Sequence, residues 1–430
     1  MEKLLEIARQ VADQADIYYR AATSDTISFE NGKLKDIDSK MQSGYYLRIF
    51  KDGKLGTAYT QNLISREELV RNARAALKGG VEGDFELPLT KDVPKLNAHD
   101  PALAGTSNTT LVDECARVCA ALGSKVKAQI NVGAYRHHTQ VRIINSRGTE
   151  LVADFTHYAS DAAVFFPGTY SAVSRVIWDK KFVRFGDDLI DYIADTYNRA
   201  QRVVSPAGGR MKVLFMPEAL YALVWRLNDA ANAKSVYEKV SPIREKRGER
   251  LFSDKLTITD EALNDQRPGA RAFDDEGTPC RNLPIVEKGV LRNFYCDLHY
   301  ARKLGGAPTG NGYKAEVAAK VAPSLEHLTI KPGDKSFAEL LRTMDRGVVV
   351  GGVMGAHSGN ILHGDYSIGL SPGLWVENGE IQGQVKDSMV AGNIYETMKN
   401  VIAVENRRYP TQMGVFPAVL FDDVNVATKG

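Results

Sequence analysis

The sequence predicts an α+β protein of two domains, an N-terminal antiparallel sheet with packed helices followed by a β-rich C-terminal domain. Three observations carry this expectation. The chain has 430 residues, more than one hydrophobic core normally serves. Alternating β-prone segments joined by Asn-Gly and Asp-Gly turns recur early, an antiparallel pattern. Helical and strand patterns alternate only loosely, which argues against βαβ repeats.

The opening stretch places Leu4, Ala8, Val11 and Ala12 on one helical face, suited to lying across a sheet. Strands are expected at 16–22, 26–29, 43–50 and 55–60, with Asn31-Gly32 and Asp52-Gly53 as hairpin turns. Ser65-Arg66-Glu67-Glu68 reads as a capping box opening a helix that runs to about Lys78. From Gly79 to Asn108 the chain is rich in Gly, Pro, Asp and Asn without periodicity, and reads as a long surface connection. Helical spacing resumes over 110–127. Further strands are expected at 129–135, 139–145, 149–157 and 161–166, and a helix over 187–201 closes the domain. Ser205-Pro206-Ala207-Gly208-Gly209 breaks both periodicities, so the domains are set at 1–205 and 206–430. In the second, helices are expected at 217–233, 336–345 and 394–400, and a hairpin pairs Leu283–Val286 with Val290–Tyr295 around Glu287-Lys288-Gly289.

Hydrophobic residues make up 43% of the chain, and 55 basic against 53 acidic residues give a net charge of +2. Neither sign gathers into a block, so bulk charge shows no nucleic-acid footprint. The cysteines, at 115, 119, 280 and 296, form no CxxC pair, which fits a reducing cytosol. No apolar run approaches a membrane span, and the N-terminus lacks an apolar signal core. The expected location is cytoplasmic, without membrane or direct nucleic-acid partners.

The densest segment is 273–312, which holds an acidic turn, Asp274-Asp275-Glu276-Gly277, the hairpin, and the loop Pro308-Thr309-Gly310-Asn311-Gly312. A second block, 351–393, carries a Gly-rich loop, Gly364-Asp365-Tyr366-Ser367, the turn 376–380, and Ala391-Gly392-Asn393. Together these blocks resemble the TldD/PmbA family, along the whole chain but specifically only from about Val213 onward. The resemblance implies a family with two kinds of subunit. One resembles a zinc peptidase with His-Glu-x-x-x-His on a helix and a Cys ligand near the C-terminus. Here the corresponding helix, 217–233, contains no His. The motif positions fall near Trp225, Arg226 and Ala230, none of which can ligate zinc, and no Cys follows Cys296. This chain is therefore similar to the metal-free PmbA or TldE kind. That likeness implies no cofactor here, zinc in a TldD-like partner, and unfolded or small peptides as substrates, with homodimerisation an open possibility when alone. The family's label as a modulator of DNA gyrase need not mean contact with DNA.

No catalytic residue is assigned. Consecutive carboxylates on extended backbone alternate faces, so at most two of Asp274, Asp275 and Glu276 could converge. One reading is a solvated turn held by Gly277. The sharper one is a cleft wall for extended peptide, built from Asp275, Glu276, Gly277, Gly310 and Asn311, whose glycines let two backbones approach. His357 and His363, near Asp365, are the alternative metal ligands, although their spacing of six fits neither a helix face nor a strand pair. His137 and His138 should point to opposite faces of a strand, exposed. Cys115 and Cys119 share the apolar stripe of a helix and read as core. Two other functions stay open, a peptidase in its own right with non-standard ligands and a non-enzymatic homodimeric adaptor.

Overall fold

The structure is a computed structural model that describes residues 1–428. The N-terminal sheet has strands β1 (Gln14–Glu30), β2 (Lys33–Lys51), β3 (Lys54–Thr60), β4 (Gln129–Asn145), β5 (Glu150–Phe165) and β6 (Ala172–Asp179). Their order is β3-β2-β1-β4-β5-β6, antiparallel throughout. Hairpin turns stand where the sequence puts them, Asn31-Gly32 and Asp52-Gly53 having the paired positive φ values that such turns require. The strands are longer than expected. β1 and β2 continue through Thr23–Asp25 and Lys33–Gln42, where polar residues predominate and the exposed Leu34, Ile37 and Met41 do not alternate as a strand would. β6 also lay outside the expected strands.

One sheet face packs on helices α1 (Glu2–Arg9) and α2 (Arg66–Ala76) through Leu4, Ala8, Ile17, Leu47, Ile49 and Leu69. Ser65 does stand at the N-cap of α2, but its side chain makes no capping hydrogen bond, which corrects the capping-box expectation. A complete capping box occurs instead at Ser336 and Glu339. The connection before Asn108 is largely irregular and holds a short helix, α3 (Pro101–Gly105). Helices α4 (Asn108–Gly123) and α5 (Asp187–Arg199) share one core with Ile27, Ile130 and Val132 of the first sheet and with Leu214, Val349 and Leu420 of the second domain. Cys115 and Cys119 lie in that core, and burial raises both thiols.

The second domain is built on a ten-stranded sheet. Its strand Gly209–Phe215 runs parallel to Gly347–Val350 and antiparallel to Val419–Ala427. Val203–Val204 already pairs with this sheet, beside Gln384–Val385. Helix α6 (Pro217–Ala231) packs between this sheet and a second, six-stranded one containing Ile258–Glu261, Asn282–Glu287 and Leu328–Ile330. Leu220, Leu223 and Leu227 are fully buried on α6, each contributing about 1.5–3 kcal/mol. Pro217 stands in its first turn, where a missing N–H costs nothing. Among the described residues no helix is long and apolar enough to cross a membrane.

Candidate functional site

The acidic turn is not solvated. Asp274, Asp275 and Glu276 are 0%, 4% and 2% exposed, which overturns the solvated-turn reading. Each carboxylate instead has a fixed set of donors. Asp274 accepts the N–H groups of Glu276, Thr278 and Gly312 at 2.9–3.0 Å. Burial and then the nearby Glu276 charge push its carboxyl well above the usual carboxylate range. Asp275 accepts from Arg271 at 2.8 Å and from the Lys314 N–H at 2.9 Å. Glu276 accepts from Arg48 of β2 at 2.6 Å and from the Leu298 N–H at 2.7 Å. Arg48 also grips Asp16 of β1 with two nitrogens, so an Asp16–Arg48–Glu276 triad joins the N-terminal sheet to the signature segment. Tyr18, Tyr46, Val141, Ile143, Leu151 and Phe273 pack beside it.

A cavity of about 490 Å³ lies between the two domains. Tyr18, Arg20, Phe155 and His157 line it from the sheet, Asn228 from α6, and Arg271, Asp275, Tyr313, Lys314 and His327 from the second domain. Four of its buried polar atoms, Asn228 Oδ1, His157 Nε2, Arg271 Nε and His327 Nδ1, have no partner within the chain. Burial pushes the imidazoles of His157 and His327 down to about 4, so both are neutral at physiological pH. Burial, then the Arg48 charge, lowers Lys314 to about 7, and its ammonium lies 3.3 Å from the centre of the Tyr46 ring. The cavity thus offers neutral acceptors and donors on a lining that mixes polar and aromatic side chains, while the Lys314 ammonium is engaged by the Ala319 carbonyl and the Tyr46 ring.

Of the five residues expected to line a peptide cleft, Asp275 is at the cavity. The other four stand behind it. Glu276 is engaged in the triad. Gly277 has φ +81° and faces Thr149 and Ile143. Gly310 has φ +78°, and a Cβ there would fall 2.5 Å from the Pro279 oxygen and 2.8 Å from Cys280 Cα, so the glycine is required by close backbone packing. Asn311 donates to Asp260 at 2.9 Å and to the Ser324 carbonyl at 3.1 Å. Burial raises the carboxyl of Asp260 to about 6, offset in part by the His327 N–H. The cavity residues missed by sequence, Tyr18, Arg20, Phe155, Asn228 and Lys314, come from distant segments and share no local pattern.

The histidines of the Gly-rich loop behave differently. His357 and His363 are exposed, and with Asp365 they do not form a group within metal-ligand reach; among the described residues the one such group is His99, His138 and Asp154. This corrects the alternative ligand set. On α6 the fit to zinc also fails. Trp225 and Ala230 offer no lone pair, and the buried Arg226 is a permanent cation. Its Nε donates to the Asp365 carbonyl at 2.7 Å, Nη1 to that of Ala222 at 2.6 Å, and Nη2 to that of Ser358 at 2.7 Å. The guanidinium thereby pins the loop at Ser358, next to His357, and at Asp365, just beyond His363.

Residues 208–428 match the PmbA/TldA metallopeptidase C-terminal domain, and residues 15–78 match PmbA/TldA metallopeptidase domain 1. The chain is 26% identical to a metalloprotease of Methanocaldococcus jannaschii, covering 94% of this chain and 91% of that one. It is 25% identical to the metalloprotease PmbA of Escherichia coli O157:H7, covering 94% and 89%. TldE of Thermococcus kodakarensis, 20% identical, superposes with a TM-score of 0.93 over 99% of both chains, a likeness of fold. With its C-terminal half matched throughout and its first domain matched at the N-terminal sheet, this chain belongs to the PmbA/TldD metallopeptidase family.

Proposed function

We propose that this chain is the supporting subunit of a TldD/TldE-type zinc metallopeptidase, admitting unfolded or small peptides while a TldD-like partner supplies the zinc. One observation carries the reading. Helix α6 reaches the interdomain cavity through Asn228, while the positions that match the peptidase motif hold Trp225 and Arg226, whose guanidinium is turned away from the cavity and held by three carbonyl oxygens. A cation in that place cannot act as general base and would repel a metal. The rest of the cavity suits an extended peptide. Its unpartnered acceptors and donors match backbone N–H and C=O groups, and Phe155 and Tyr313 offer apolar contact to side chains.

In this reading Asp275 contacts the peptide, while Glu276, Gly277, Gly310 and Asn311 hold the wall in place. When bound in the partner, zinc supplies Lewis-acid activation of water. This chain's part is to orient and enclose the substrate.

The test is peptidase activity of the purified chain in zinc-containing buffer, alone and mixed with the TldD-like subunit of the same cell. Activity confined to the mixture supports the reading. Activity of the chain alone that survives rigorous repurification overturns it. If a homodimer is active and loses activity in a His357→Gln/His363→Gln variant, the self-sufficient peptidase is the correct account. If neither the chain nor any mixture cleaves peptides, the adaptor reading takes its place.

A further inference from the structure

We propose that His99, His138 and Asp154 form a binding site for one divalent transition-metal ion, zinc being the best fit, on the sheet face opposite the cleft. Strand geometry brings two ligands together. His138 on β4 pairs with Thr156 on β5, and Gln140 pairs with Asp154, so His138 and Asp154 are diagonal neighbours on one face. Their side chains are in contact, His138 Nε2 with Asp154 Oδ1. His137, next to His138 on β4, and its cross-strand partner His157 on β5 project from the other face toward the cleft, where both line a second cavity with Arg20 and Phe155.

The third ligand comes from the irregular connection before α3, and its place is fixed. The Thr156 N–H donates to the Ala98 carbonyl at 3.1 Å, and the Asp100 N–H donates to Thr156 Oγ1 at 2.9 Å. His99 is therefore held from both sides over the residue that pairs with His138. The two imidazole rings lie 5.1 Å apart, and the three ligand atoms all fall within 4.8 Å of one another. Ligands on a tetrahedral zinc at about 2.1 Å stand roughly 3.4 Å apart. Opening the His138–Asp154 contact and closing on His99 needs only side-chain rotation, which half-buried groups allow.

Two imidazoles and one carboxylate select a borderline ion such as zinc, cobalt or nickel over calcium or magnesium, which require mainly oxygen. A small cavity of about 110 Å³ bordered by Thr23, Asp25, Arg136 and His138 gives room for a water in the remaining position. Asp25 and Arg136 satisfy each other there and do not compete for the ion. The ion would clip the connection to the middle of the sheet, far in sequence from α6 and the family's peptidase motif.

The test uses untagged full-length chain, stripped with a chelator and titrated with zinc by calorimetry, with cobalt as a visible-absorption probe. One ion per chain is expected, with cobalt bands of a site containing nitrogen and oxygen ligands. His99→Gln, His138→Gln and Asp154→Asn should each weaken binding at least about tenfold with unchanged circular dichroism. His357→Gln/His363→Gln should bind as the parent does. Absence of stoichiometric binding in the parent chain overturns the proposal without any substitution. Binding undiminished in His99→Gln/His138→Gln overturns it equally.

Discussion

Arg48 and Arg226 are both buried guanidiniums that organise a glycine-bearing segment, but Arg48 faces two carboxylates whereas Arg226 faces three carbonyl oxygens. Their protonation responds in opposite directions. Burial alone would weaken the hold of Arg48 on its proton, but Asp16 and Glu276 reverse this and raise it. Arg226 is lowered, because burial dominates and Tyr366, Asp229 and Asp365 offset only part. The first arginine is a charge-matched join between domains, and the second a strut within one. A buried cation in this chain marks structure at both sites, a join between domains at Arg48 and a strut for the Gly-rich loop at Arg226.

The contrast breaks most severely at the join. Arg48→Met should cost about 3–5 kcal/mol in urea unfolding, since it leaves two buried carboxylates without a counter-ion. Next in size is Gly310→Ala, expected to cost about 2–3 kcal/mol through positive φ and overlap with Pro279 and Cys280. Gly310 therefore serves badly as a probe of the cleft, because a substitution there damages the wall before it obstructs the cavity.

Arg226→Met should cost about 2 kcal/mol, less than the join because the Ser358 and Asp365 carbonyls lie near solvent and can rehydrate. Its signature is local, with proteolysis within 355–365 accelerating more than global unfolding does. The parent-like rate in that loop would show that Arg226 is not its strut.

A smaller effect sharpens the electrostatic side. Asp297 caps a short helix by accepting the Tyr300 N–H at 2.8 Å, and burial, then Glu276, raises its carboxyl from 3.8 to about 7. The folded state then holds this proton more tightly than the unfolded one, so stability falls as pH rises from about 4 to 7 and the loss is constant above. Asp297→Asn keeps the cap without the charge. It should match the parent near pH 4 and exceed it at pH 8 in thermal unfolding. Smallest of all, His357→Gln/His363→Gln should shift stability by less than about 0.5 kcal/mol, as exposed side chains do.

Much of the fold was legible because alternation and Asn-Gly or Asp-Gly turns are local signals, and β1 and β3 follow them, while the hairpin around Lys288-Gly289 forms but its second strand stops at Leu291 rather than Tyr295. The polar outer half of β2 was not, since a strand exposed on both faces leaves no apolar period. Helix α6 and the absence of His from its sequence were readable directly. The burial of Asp274–Glu276 was not, because the counter-charge of Glu276 comes from Arg48, more than two hundred residues away, and Asp274 is held by backbone donors that composition does not reveal, while Arg271 beside Asp275 gave no sign of burial by itself. His99 escaped for the same reason, as a featureless connection acquires meaning only when Thr156 fixes it over β4.

The most direct test of the central claim is anomalous diffraction at the zinc edge from crystals of this chain assembled with its TldD-like partner. The account requires a zinc peak on the partner's peptidase helix and none beside Trp225, Arg226 and Ala230 or between His357 and His363; a peak at His99, His138 and Asp154 bears only on the separate site. Zinc at α6 or in the Gly-rich loop of this chain, with none on the partner, would contradict it.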